Sequence, residues 1–223
     1  MKNRLIALLT LSFLLVASYS SATDKGKTTP ITNSYFPVNN SITLVYSSSF
    51  GESITKYSRD ENYIISTSEA DKFKYKQTLE IKENGVYAIE TYQYLKIFLF
   101  IKKEALLKYD RPLLRFPLPL EPGMNWKWEG KEYSDGDSNT VTVTGKSICR
   151  ESVLTKAGKF DAIKIESIIE SSANAKNRVT EWYTEGIGLI KAKILIEGGG
   201  LMGVMRDILG YGTIEFELKE IRK

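Results

Sequence analysis

The sequence predicts a mainly β fold: a curved antiparallel sheet or half-barrel with little helix, divided into two related halves. Three observations predict it. Apolar and polar residues alternate with period two over several long stretches, and because strand side chains alternate faces, each such stretch has one dry and one wet side. Glycine- and asparagine-rich turn signals fall between these stretches at short intervals. A Phe-Pro phrase also occurs twice, as YFPVNNSITLVY from Tyr35 and RFPLPLEPGMNW from Arg115, each time with an aromatic residue nine positions after the proline.

The elements follow in chain order. Lys2 and Arg4 precede an apolar run from Leu5 to Ala17, and the small residues Ser20, Ser21 and Ala22 lead to Thr23. That order is the pattern of a secretory signal peptide over residues 1–22, and the run is short for a membrane span. Residues 23–34 are polar and read as a linker to a single β domain over 35–223. Strands are expected at 42–48, 61–68, 73–82 and 86–95. In FKYKQTLEIK, Phe73, Tyr75, Leu79 and Ile81 share one face, while Lys74, Lys76, Glu80 and Lys82 share the other. Tyr94–Asp110 reads as a strand to Ile101 and then a short helical turn, since KKEALLK favours helix. Four of the six prolines lie between Pro112 and Pro122. A central strand does not tolerate such a stretch, so it is expected to cross over between halves of about 35–111 and 112–223. Strands follow at 140–144, 162–167, 179–184, 188–196 and 213–221. The turns are Glu83-Asn84-Gly85, Asp135-Gly136, Ala157-Gly158-Lys159 and Gly186-Ile187-Gly188.

On this reading each Phe-Pro phrase begins a half. Phenylalanine docks in a core, proline sets the entry to the next strand, and Tyr46 and Trp126 stand in the first full strand of each half. LEIKENGVY (Leu79–Tyr87) and WYTEGIGLI (Trp182–Ile190) are a weaker second echo. The offsets differ, about 80 and 103 residues, so the second half is expected to carry an insertion.

Composition narrows the chemistry. The formal charge of +4 falls to +2 without Lys2 and Arg4, and charges of both signs are interspersed, which gives no electrostatic case for nucleic acid. The one cysteine, Cys149, forms no internal disulfide and does not follow the apolar run as a lipoprotein would require. The expected location is therefore secreted or periplasmic and not lipid-anchored, with no transmembrane segment after signal cleavage. With no histidine in the chain, a Ser-His-Asp triad, a Cys-His pair and a His-ligated metal are excluded. Carboxylate chemistry survives.

Several constellations hold residue types that could carry chemistry. DGDSN (Asp135–Asn139) has alternating oxygens, but Thr140 and Lys146 stand where a calcium loop needs glycine and glutamate, so it reads as a hairpin turn. EGGGLMGVM (Glu197–Met205) lacks the Gly-Lys-Ser/Thr of a phosphate loop. Leu201, Met202 and Met205 there are soft apolar side chains on a glycine-rich backbone, suited to an adaptable contact. Among Glu80, Glu90, Glu166, Glu170, Glu181 and Glu185 no pattern singles out a facing pair of the kind a glycosidase needs.

Three motifs of the second half occur in order: Phe116, Pro117, Leu118, Gly123 and Trp126; then Ala157, Gly158, Phe160, Asp161 and Lys164; then Trp182, Tyr183, Gly186, Gly188, Leu189 and Lys191. This order resembles a broad, largely uncharacterised group of exported bacterial β-rich proteins and lipoproteins. The resemblance covers about 85 residues and implies a sheet similar to the half-barrel of lipoprotein carriers. It implies fold and location more than activity.

The expectation is thus an exported, non-enzymatic binding or scaffold protein. It holds an apolar small molecule or an envelope-protein partner on its concave face, with Leu201, Met202, Met205, Trp126 and Trp182 as candidate ligand-binding residues. No metal, cofactor or nucleic acid is expected. A carboxylate-based polysaccharide hydrolase and an envelope component without a pocket are the alternatives.

Overall fold

The computed structural model describes residues 34–38, 42–96, 102–199, 206–207, 210 and 212–223. Twelve strands lie among these described residues: β1 (Thr43–Ser48), β2 (Gly51–Asp60), β3 (Tyr63–Ala70), β4 (Phe73–Lys82), β5 (Gly85–Lys96) and β6 (Lys102–Pro117), then β7 (Asn125–Ser134), β8 (Asp137–Thr155), β9 (Gly158–Ser171), β10 (Ala175–Thr184), β11 (Gly188–Ile196) and β12 (Thr213–Arg222). Each pairs antiparallel with its sequence neighbours, and β12 pairs with β1 from Thr43↔Arg222 to Ser48↔Phe216. The curvature expected of a half-barrel therefore runs on to a closed, up-and-down barrel. Bulges at Val45/Tyr46, Thr78/Leu79, Ser147/Cys149 and Trp182/Tyr183 help it close. Each adds a residue to one strand and sharpens its bend.

Two expectations are corrected. KKEALLK is not helical: Lys102–Lys108 belong to β6, and Ala105 and Leu107 pair with Gln93 and Thr91 of β5. Pairing with β5 overrides local helix propensity. The prolines do not all lie in a crossover either, because Pro112 and Pro117 stand within β6. The reason lies on the other edge of that strand. Between β6 and β7 only Lys108↔Tyr133 and Tyr109↔Glu132 are paired, so Pro112 lies beyond the ladder that would have needed its N–H.

Side chains close this seam in place of backbone. The Lys131 N–H donates to Asp110 Oδ1 (3.0 Å), Trp128 Nε1 donates to the Pro112 carbonyl (3.0 Å), and the Arg111 guanidinium donates to the Glu129 carbonyl. Arg111 also lies 5.8 Å from the centre of the Trp128 ring.

Outward-facing positions carry charge. Lys74–Glu69 (2.6 Å), Lys176–Glu170 (2.8 Å) and Lys193–Glu215 (3.4 Å) join neighbouring strands directly across the register. Exposed pairs of this kind each contribute at most about 1 kcal/mol. Their placement is the reverse of the outward apolar band of a membrane barrel.

One end of the barrel is filled, and we call it the floor. Ser34–Val38 enters there, and the Gly186 N–H donates to the Ser34 carbonyl at 2.7 Å. Phe36 stacks on Phe116, with ring centres 6.1 Å apart and planes 13° from parallel, and meets Tyr57 edge-on at 5.8 Å. Phe116 and Tyr183 are 5.2 Å apart. The phenylalanines of the two Phe-Pro phrases are thus in contact, and Tyr46 and Trp126 stand in β1 and β7, six strands apart. The second echo also spans six strands, from β4–β5 to β10–β11. Most of the longer offset lies in β8 and β9, of 19 and 14 residues, against 10 and 8 in β2 and β3. The long β8–β9 hairpin reaches β12, where the Ala157 N–H donates to the Leu218 carbonyl (3.2 Å) and Val153 and Ala162 pack with Leu44, Ile190 and Leu218.

Candidate binding site in the barrel lumen

Above the floor lies a cavity of about 460 Å³ that reaches the opposite rim at Ser134, Ala173 and Gly199. Strand alternation builds it, since every second residue of each strand points inward. The two walls differ in balance. On β2 to β5 the inward positions carry hydroxyls and amides (Thr55, Ser66, Ser68, Gln77, Thr91, Gln93) beside the rings of Tyr57, Phe73 and Tyr75; on β8 to β11 aliphatic residues (Val141, Val143, Ile169, Val179, Ile194) outnumber polar ones such as Ser167, Ser171 and Asn177. Thr55 and Ser68 hydroxyls share a 2.7 Å hydrogen bond on the polar wall. At the rim Phe50 stacks on Phe73 (5.0 Å, 10°), with Phe216 beside them.

Between cavity and floor runs a polar layer centred on Arg115. Its Nη1 donates to Gln77 Oε1 and its Nη2 to Glu181 Oε1, each at 2.8 Å, and Nη2 also reaches the Tyr183 hydroxyl at 3.3 Å. Tyr183 donates to Glu181 Oε1 (3.1 Å), and Gln77 Nε2 and the Tyr109 hydroxyl both donate to Thr91 Oγ1 at 3.3 Å. The side chains of Arg115 and Glu181 are 21% and 12% exposed, which places a largely desolvated ion pair inside the barrel. Burial opposes the guanidinium's charge most strongly, but Glu181, Tyr183 and Tyr75 together more than offset it, so the pKa of Arg115 is raised. Burial likewise raises the hydroxyl pKa values of Tyr46, Tyr57, Tyr75, Tyr109 and Tyr183.

Among the described lining residues three carry charge: Arg115, Glu181 and Glu132. Glu132 lies on β7 between Tyr109 of β6 and Asn139 of β8. Burial alone raises its pKa. Asn177 Oδ1, also on the lining, is buried with no hydrogen-bond partner.

Of the residues expected from sequence, Trp126 and Trp182 lie among the described residues. Trp126 is 9% exposed and packs in the floor cluster against Gly145, with its Nε1 buried and unpartnered. Trp182 lies between Lys164 and Lys191, whose ammonium groups are 5.8 and 5.7 Å from the ring centre, and its Nε1 donates to Glu151 at 2.6 Å. Neither lines the cavity. Leu201, Met202 and Met205 lie outside the described residues. Of the six acids weighed for carboxylate chemistry, Glu181 alone lines the lumen among the described residues. Asp135-Gly136 is a hairpin turn between β7 and β8, with positive φ at both residues (52° and 87°), as a two-residue turn of that type requires.

The DUF3108-like family model matches residues 19–205. No curated protein matches the chain. Among solved structures it is similar to a candidate lipoprotein from Parabacteroides distasonis, with 13% identity over 84% of this chain and 98% of that one and a TM-score of 0.43. It is also similar to a candidate exported protein with a YmcC-like fold from Bacteroides fragilis, with 12% identity over 85% and 99% of the two chains and a TM-score of 0.44. Likenesses this distant carry no argument about function.

Proposed function

This chain belongs to the DUF3108-like family, and for this member we propose a carrier function: an exported, non-enzymatic protein that holds an amphipathic small molecule inside its barrel. The observation that supports this reading is the lumen of about 460 Å³, whose lining sets hydroxyls, amides and aromatic rings on β2 to β5 against a mainly aliphatic set with a few polar groups on β8 to β11. Small-molecule sites are typically cavities of about 300–1,000 Å³, lined mainly by apolar groups with a few polar groups that fix orientation. Export is read from residues 1–22, and the charged exterior suits passage through an aqueous compartment. The ligand enters the concave, inward face, so a small molecule fits this surface better than a folded partner.

N-phenyl-1-naphthylamine, an uncharged probe that fluoresces in apolar surroundings, tests the reading. Saturable binding at one site is expected, and Val143→Trp, which fills the lumen, should reduce it at least tenfold while leaving the circular dichroism of the barrel intact. An absence of probe binding to the folded wild-type protein would overturn the carrier reading.

A further inference from the structure

The charges inside the lumen restrict which amphipath it accepts. Arg115 is the one cation among the described lining residues, and it is already engaged: one nitrogen faces Glu181 and Tyr183 and the other faces Gln77, all within 3.3 Å. An entering carboxylate or phosphate finds no free positive charge there, and it would have to displace Glu181 while both acids remained inside. Glu132 is the opposite case. It lines the same cavity and is partly buried, and its carboxylate makes no ion pair or hydrogen bond with the described residues. Its flanking neighbours across the register, Tyr109 and Asn139, carry no charge. With Arg115 and Glu181 cancelling, the described lining residues hold one uncompensated negative charge. In a poorly hydrated space such a charge favours a counter-cation and disfavours an anion.

We infer that the lumen takes a cationic amphipath, with the ammonium group of a long-chain amine on Glu132 and the alkyl chain along Val141, Val143 and Ile169. This rests on the carrier reading and adds the charge of the ligand to it. Asn139 and Ser134, beside Glu132 on the lining, supply oxygens for the remaining ammonium hydrogens.

Three probes with the same chain length separate the charge from the tail. Dodecylamine, dodecanol and dodecanoate would each be titrated against protein loaded with N-phenyl-1-naphthylamine at pH 8. The amine is expected to displace it at a concentration at least tenfold below the acid, with the alcohol between them. Glu132→Gln should abolish the advantage of amine over alcohol, whereas Glu170→Gln, which removes an exterior acid, should leave that ratio unchanged. Three results would overturn the inference while the carrier reading stands: equal or tighter binding of dodecanoate, an amine advantage that survives Glu132→Gln, or probe binding that none of the three displaces. Loss of probe binding altogether would overturn the carrier reading itself.

Discussion

Replacing Glu181 with glutamine keeps the volume of the side chain but leaves the Arg115 guanidinium in the barrel with only neutral partners, Gln77 and Tyr183. Breaking a fully buried pair in this way costs about 3–5 kcal/mol. Here the partners retain 21% and 12% exposure, and residual hydration lowers the expected cost to about 2–3 kcal/mol. For a domain of this size that corresponds to a fall in Tm of roughly 5–10 °C. Arg115→Met should cost a similar amount, because it strands the carboxylate instead. The double variant Arg115→Met/Glu181→Gln removes both charges and should lie within about 1 kcal/mol of the native protein. Urea denaturation of the four proteins measures the coupling energy directly, expected at about 2 kcal/mol or more. A coupling below about 0.5 kcal/mol would refute the reasoning, since it would mean that water already satisfies both groups.

Two further perturbations test other parts of the molecule. In hydrogen exchange, the β7 amides between Trp126 and Gly130 that point at β6 should exchange at least a hundredfold faster than those between them that point at β8, because the β6–β7 ladder ends at Tyr109↔Glu132; uniform protection along β7 would disprove the seam. In alkaline titration, five tyrosines of the lumen and floor, Tyr46, Tyr57, Tyr75, Tyr109 and Tyr183, have folded-state pKa values above that of the unfolded chain. Their contribution to stability is therefore fully present below about pH 10 and is lost as pH rises through the folded values. Absorbance at 295 nm should show these groups ionising only together with loss of the β signal, and reversible titration of all tyrosines near pH 10 in the folded state would contradict their burial.

Much of the scaffold can be read from alternation because one face of each strand is charged. β4 follows the expected Phe73–Lys82 register, and the turns at Asn84-Gly85, Asp135-Gly136 and Gly158 lie where the glycines indicate. β6 is obscured by a single residue. Ala105, Leu107 and Tyr109 line the lumen, but Leu106 between them is 41% exposed, so the period of two disappears and KKEALLK imitates a helix. The lumen is harder still. In YIISTSEA the inward residues Ser66 and Ser68 are as polar as their outward neighbours Thr67 and Glu69. In AKNRVTEWYT the inward set is Ala175, Asn177, Val179 and Glu181. Where a sheet encloses a cavity lined partly by polar groups, polarity no longer separates inside from outside. Arg115, Glu132 and Gln77 therefore read as surface residues until the barrel closes around them. Trp126 and Trp182 attract attention by size, but their rings serve packing and the outer surface.

The pairing of β1 with β12 has a kinetic meaning. It joins residue 43 to residue 222, and the floor beneath it needs Phe36, Tyr57, Phe116 and Tyr183 together. A chain delivered from its N-terminus into a new compartment makes Phe36 available early but its partners only later. Until β12 is released, both β1 and β11 present unpaired edges, which invite association with other chains. Contacts this distant in sequence also slow the search for the native state. Closure by the first and last strands thus makes assembly all-or-none, and it gives the unfinished barrel a period of exposure in which a chaperone, or an early ligand in the lumen, would have its largest effect on yield.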